Sequence, residues 1–426
     1  MNAHDPFENL PPAPPPEAYI EEVTGPPSIK PTPFTLRAPA EIPPRQWLFG
    51  RHLIRGFLSL TVAPGGLGKS SLLIVEALAM VTGRDLLGDA PPMPLRVWYW
   101  NGEDPREEVE RRIAAASIHY GITAEAIGGR MCMDSGRDVP ITLAKMNGQG
   151  VHVAKPVSEA LIAAIRDART DVLIVDPFVT THEVSENDNT ALNAIVSEWR
   201  RIADATGCAI ELVHHVSKAG AMQGDENGIY ASRGAAALID GVRSARYLTR
   251  MRHDEAERFG IEEVEARRHF RSNMGKANLA PPEKATWRRM EPVALGNGAG
   301  LWPEGDKVAV CITWTPPDAF EGMTAHDLMR VQKAIDTAEE MPKANERAAD
   351  WIGYLVADTL GLDVGRDLKK NERSAGQNAA RAKVRRILSE WIRNGALELH
   401  NEHDARTGRE VKLVTVGEPV TPDDLA

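Results

Sequence analysis

A chain of 426 residues, 42% hydrophobic and 26% charged, has room for two or three folded units and a full enzyme core, and is too long for a lone binding module. Fifty Lys and Arg against 60 Asp and Glu leave a formal charge of −10, so contact with a polyanion has to come from local basic patches. Three scattered cysteines, Cys132, Cys208 and Cys311, with no CxxC pair exclude a disulfide framework and a zinc site, and no basic leader or long apolar run suggests secretion or a membrane; a cytoplasmic protein is expected.

Thirteen of the 30 prolines fall within residues 1–44, where the loss of backbone donors predicts a disordered, polyproline-like tail. From residue 45 short apolar runs alternate with helical periods. Leu58 to Ala63 reads as a strand, followed by a glycine-rich turn and a helix to about Thr82. RVWYWN (96–101) is a second strand, and Pro105 is placed at the first position of a helix. Glu159 to Ala168 reads as helix and DVLIVD (171–176) as a buried strand. Leu192, Ile195, Val196, Trp199 and Ile202 share one helical face, and CAIELV (208–213) is the next strand, with another at about 245–251. Strands alternating with helices predict a largely parallel sheet, covered on both faces, over residues 45–318. After a stretch rich in Pro and Gly (281–317), helical patterns return, with Thr324 and Asp327 spaced as a cap. Further helices are predicted over about 345–360 and 374–394, then two strand-like runs at 396–400 and 411–416. Three helices and a hairpin make 319–426 a winged-helix-like domain in element order.

APGGLGKSS (63–71) joins a strand to a helix, the context of a phosphate-binding loop. There the backbone of Pro64, Gly65, Gly66, Leu67, Gly68, Lys69, Ser70 and Ser71 can turn N–H groups toward phosphate oxygens. Lys69 can reach the β and γ phosphates and the Ser70 hydroxyl can ligate Mg²⁺. Ala63 stands where the strict pattern has Gly. Asp176, closing a buried strand, is the second candidate for the metal. Glu103, just past the tip of the neighbouring strand, is the candidate general base, with Asp104 assigned to the helix cap. His214 and His215 end the next strand and point to opposite faces, so they cannot serve one metal; one of them is expected to sense the γ-phosphate.

The ordered series PPRQWLFG, LTVAPGGLGKSSL, WYWNGED, VLIVDP with SENDN, VHHVSK and SRGAAALIDGVRSARYL, over about residues 42–290, resembles the RecA-like ATPases of hexameric plasmid and phage replicative helicases, the RepA-like group. The resemblance implies a RecA-like P-loop α/β fold, ATP and Mg²⁺ as cofactors, a hexameric ring of identical subunits, and single-stranded DNA as partner, with duplex DNA as a further one. It assigns Lys69 and Ser70 to the phosphate loop, Glu103 to catalysis, Asp176 to the metal, and His214 or His215 to the sensor. Arg243 best matches the arginine finger offered to a neighbouring subunit, and Arg246 is its rival three residues on. Residues 217–234, with Lys218 and Arg233 at their ends, are the expected channel loop. Nine Lys or Arg against three acids in 366–393 are a second candidate DNA contact. A recombination or loading ATPase without unwinding activity, and an ATP-switched DNA-binding regulator, are the competing readings.

Overall fold

The computed structural model describes residues 30–148, 150–216, 233–280, 285–318, 320–369, 371–404 and 409–421. The chain divides into a unit of residues 1–44 and one of residues 45–426. In the first, residues 30–44 are exposed throughout and carry a 3-10 turn, Pro39–Glu41. Residues 1–29, most of the proline-rich leader, lie outside the described residues.

The second unit is built on a nine-stranded sheet. Its elements run, in chain order, β1 (Trp47–Phe49), β2 (Leu53–Ile54), β3 (Leu58–Pro64), α1 (Lys69–Thr82), β4 (Val97–Asn101), α2 (Arg106–Tyr120), α3 (Ala124–Ile127) and β5 (Met131–Ser135). There follow β6 (Ala144–Asn147), β7 (Gly150–Val153), α4 (Lys155–Ala168), β8 (Val172–Asp176), β9 (His182–Glu183), α5 (Asn189–Thr206), β10 (Ala209–Val216), α6 (Arg233–Gly241) and β11 (Ser244–Arg250). Then come α7 (His253–Phe259), α8 (Glu263–Ala266), β12 (His269–Ala277), β13 (Thr286–Ala294) and β14 (Lys307–Thr313). The strand order β14-β13-β12-β11-β3-β10-β8-β4-β5 puts six parallel strands, β11 to β5, beside three antiparallel ones. The parallel part fits a RecA-like P-loop sheet and was legible in the sequence; the antiparallel wing was not, because β13 and β14 lie in the stretch taken for a proline- and glycine-rich connection.

Period-2 alternation explains how the two faces are covered. Leu58, Leu60 and Val62 of β3 join Leu173, Val175, Ile210 and Leu212 under α4, α5 and α6. On the opposite face Ala63, Val97, Tyr99, Ile174 and Val213 pack under α1, with Val109 and Ala115 of α2. That second face also holds a buried ionic cluster. The Arg246 guanidinium on β11 donates to both Glu76 oxygens of α1 at 2.6 Å and through Nε to Thr61 Oγ1 of β3 at 2.7 Å. Thr61 in turn donates to Glu211 of β10, which His52 approaches at 2.9 Å. Burial pushes the Glu211 carboxyl up, but His52 and Arg246 outweigh it and hold it at about 2, below the ordinary 4.5.

Past residue 320 a smaller core unites Val331, Ile335, Trp351, Ile352, Val356, Val384, Ile387, Leu388, Trp391, Leu397 and Val414. Its elements are α9 (Ala325–Asp336), α10 (Ile352–Leu360), α11 (Ala375–Arg393) and the antiparallel pair β15 (Leu397–Asp404) and β16 (Arg409–Val416). Asp327 accepts from the Thr324 N–H and hydroxyl, as the capping spacing predicts. Lys343, between the first two helices, bridges to Leu413 of β16. Among the described residues no helix is long and apolar enough to cross a membrane.

Removing the Arg246 cation leaves Glu76 and Glu211 buried without it, so Arg246→Met is expected to cost about 3–5 kcal/mol in denaturant unfolding. Because the folded Glu211 pKa is depressed, its contribution is full above pH 4.5 and is lost as pH falls toward 2. Glu211→Gln should flatten the stability profile in that window.

Candidate functional site

The phosphate loop leaves β3 at the carboxyl edge of the sheet and needs two left-handed turns. Gly66 (φ 70°) and Gly68 (φ 96°) make them, and Gly68 is the residue on which α1 begins. A Cβ at Gly68 would also stand 2.7 Å from Met290 Sδ of β13, so the antiparallel wing closes one side of the loop. Among the described residues no atom beyond the chain neighbours stands within 4 Å of a Cβ built on Gly65 or Gly66, which leaves the concave side open to a ligand.

Lys69 opens α1 and is only 5% exposed. Burial lowers its pKa while the Asp176 and Glu103 carboxylates oppose that shift. Its Nζ lies 3.3 Å from His215 Nδ1. His215 itself is depressed by burial and by Lys69, against Glu103 and Asp176. Four residues from four strand ends therefore feel one another: Lys69 after β3, Glu103 after β4, Asp176 at the end of β8 and His215 on β10.

Asp176 is 1% exposed and accepts from the Tyr99 hydroxyl at 2.8 Å through Oδ2. Burial and that carboxylate push the Tyr99 pKa well up, so the phenol remains a donor. No donor among the described residues reaches Oδ1, which leaves an anionic oxygen for a water or a cation. Glu103 is exposed at the mouth, its loop pinned by the Glu103 and Asp104 N–H groups donating to Asn101 Oδ1 at 3.0 and 2.7 Å. The carbonyl of Glu103 accepts from Arg137 Nε at 3.0 Å. Tyr99, Asn101 and Arg137 were not singled out from the sequence; the alternation in WYWN, which turns Tyr99 away from Trp98 and Trp100, was the available signal for the first.

Several expectations need correction. Asp104 does not cap α2: Pro105, in an extended conformation, is the N-cap rather than the first helical residue, and the Asp104 carboxylate pairs with Arg112 at 2.7 Å. Ser71 belongs to the loop by position, but its hydroxyl donates to Ala309 O at 3.0 Å and accepts from Cys311 N–H at 2.8 Å, so it ties α1 to β14. Ser70 is half-buried and makes no such bond. His214 faces away from the loop, buried 3.5 Å from Glu186 Oε1, its pKa lowered to about 4 chiefly by burial. His215 is thus the histidine at the phosphate loop. Arg246 cannot be a finger, because its guanidinium is consumed by Glu76 and Thr61.

Arg243 is exposed, and its N–H donates to Leu58 O at the start of β3. Seven residues of strand, roughly 20 Å, separate that edge from the phosphate loop. It cannot reach the phosphate loop of its own chain. Arg250, at the other end of the same strand, donates to Gly66 O at 3.4 Å, a neighbour of the loop that the sequence pattern did not mark.

Residues 217–232 of the expected channel loop, with Lys218, lie outside the described residues, as does the Arg233 side chain. In the basic run, Arg381 is buried, bonded to Glu346 at 2.6 Å and stacked on Trp351, and so serves the small core. Arg366 lies over Tyr354, Arg373 donates to Gly365 O, Lys383 to Glu321 O and Arg386 to Pro317 O, while Arg393 pairs with Glu390. Lys370 lies outside the described residues. The local charge of +6 is therefore not one free face.

Two serines provide a direct test. Ser71→Ala should lower stability by about 1–2 kcal/mol through its two lost bonds without altering the Mg²⁺ dependence of nucleotide binding. Ser70→Ala should leave unfolding unchanged and raise the Mg²⁺ concentration needed for tight nucleotide binding, as read by titration calorimetry.

Residues 26–221 match the family model described as an AAA domain, a span that runs from before β1 through the phosphate loop, Glu103, Asp176 and His215. With the loop geometry, this match points to an ATPase domain of the P-loop type over that span.

Proposed function

We propose that the protein is a Mg²⁺-dependent, ring-forming ATPase that moves along DNA, a hexameric replicative helicase of the RepA-like group from a phage, plasmid or integrated element, working in the cytoplasm. The observation that carries this reading is the division of the arginines. Arg243 sits exposed at the sheet edge away from its own phosphate loop, a position that suits action on a neighbouring subunit's nucleotide, while Arg246 is locked inside.

In this reading Lys69 stabilises charge on the transferred phosphoryl group, and Ser70 and Asp176 hold the Mg²⁺ that accompanies the nucleotide. The metal would neutralise charge between the β and γ phosphates. Glu103, exposed and close enough to act on Lys69 and His215, orients and deprotonates the attacking water. His215, kept neutral by burial and by Lys69, hydrogen-bonds the γ-phosphate and reports its loss along β10 toward the channel loop at 217–234. Residues 45–318 form the motor and 319–426 a winged-helix module; the Lys343–Leu413 bridge between its first two helices and its hairpin favours that topology. The tail at 1–44 lies outside both.

ATP turnover with and without single-stranded DNA tests the core of the proposal, with stimulation expected. Glu103→Gln should bind ATP and lose turnover by roughly two to four decades. An arginine finger contributes about three to five decades, so Arg243→Ala alone should be nearly inactive. Mixed with Lys69→Ala subunits it should regain partial activity, since some junctions then pair an intact loop with an intact finger. Co-assembled mixtures without recovery would remove Arg243 from the neighbour's site, and turnover indifferent to DNA would remove the motor.

A further inference from the structure

The third helix of the C-terminal module does not stand free. α11 packs against α7, the helix that follows β11, and Gly260, which ends α7 with φ 70°, lies so close that a Cβ there would be 2.9 Å from Ala379 Cα. Ala382, one turn further along α11, is 1% exposed although it lies off the stripe of Val384, Ile387, Leu388 and Trp391 that fills the module's own core. The first half of α11's outer side is thus covered by α7, while Arg385, Ser389 and Arg393 further along stay exposed.

The contact is close at Gly260 and Ala379 and opens beside Arg386 into a groove. Arg386, one turn after Ala382, gives one bond to Pro317 O at 2.8 Å and leaves Nε buried without a partner. Arg258 of α7 lines the same groove of about 830 Å³. Burial and Arg258 together lower the Arg386 pKa, with Asp318 opposing them. Asp254, Glu257, Asp318 and Glu390 also line that groove, but among the described residues no carboxylate stands within ion-pair distance of either guanidinium. A permanent interface gains by neutralising such a pair, whereas two facing cations are relieved by an arriving anion. In helix-turn-helix folds the outer side of this helix enters the major groove, between rows of phosphates.

We propose that α7 masks the first half of the DNA-reading side of α11, and that the phosphates of a duplex displace α7 by binding Arg386. The proposal rests on the winged-helix reading above. It makes the docked arrangement an autoinhibited one, anchored near the nucleotide because α7 begins three residues after Arg250, the residue that donates to Gly66 O.

Two substitutions on α7, outside the module that would hold DNA, push the contact in opposite directions. Gly260→Leu places a side chain against the Ala379 backbone and wedges the helices apart. Arg258→Glu offers Arg386 a carboxylate and tightens them. Amide exchange of α11 in the full-length chain reads docking without DNA and should rise in the first variant and fall in the second. Fluorescence anisotropy on a short duplex should then show affinity rising up to about tenfold for Gly260→Leu, the gain when a state masked about nine-tenths of the time is freed, and falling for Arg258→Glu. Loosened exchange without a gain in duplex affinity would overturn the masking, as would exchange that neither substitution moves. ATP hydrolysis in the same preparations separates the two failures: a wild-type chain that does not hydrolyse ATP overturns the motor reading, whatever the duplex affinities show.

Discussion

The ion pair between Arg246 and Glu76 ties the helix that begins with Lys69 to the strand that begins one residue after Arg243. Everything about the site follows from holding those two elements in register. A buried bidentate guanidinium–carboxylate pair is directional, because both ends must meet in one plane and any slide of α1 along the sheet exposes an uncompensated charge to an apolar interior. Thr61 and Glu211 extend the constraint to the two central strands. The sheet thus carries, on one face and under one helix, a polar cluster where a simple α/β sandwich would have aliphatic packing. The strand that presents an exposed arginine to the outside is locked by the arginine three residues along.

How much of this could be read from the sequence depends on whether the signal was local. The phosphate loop, Asp176 and the strand before Glu103 were legible because each is a short run with its own chemistry, and an apolar strand ending in an acid has few other meanings after such a loop. Alternation along β10 correctly separated His214 from His215, but choosing between them required the register that sets His215 beside Ala63, where the loop begins. Arg243 and Arg246 could not be told apart either, since the partner that consumes Arg246 lies 170 residues earlier on α1.

The antiparallel wing was missed for a different reason. β13 is half-exposed along most of its length, so its apolar pattern is weak, and prolines and glycines around it suggested a connection. The same stretch supplies Met290 beside Gly68 and the carbonyl that Ser71 bonds. In the basic run at 366–393, composition alone could not distinguish Arg381, a core residue stacked on Trp351, from Arg386, which meets another arginine across the contact with α7.

The bonds between Ser71 and β14 span up to 240 residues of chain, and β3 pairs with strands that begin about 150 and 185 residues after it. Long-range pairing of this kind has to wait for the whole segment to exist. During synthesis the loop sequence leaves the ribosome early, but its two flanking strands are complete only at residue 250 and its brace only at residue 313. At roughly 5–20 residues per second, that leaves an interval on the order of ten seconds or more in which the nucleotide loop exists without a fold to shape it. The phosphate loop therefore takes its final shape late in the making of the chain, when residues 45–318 are complete and those from 319 on are about to follow.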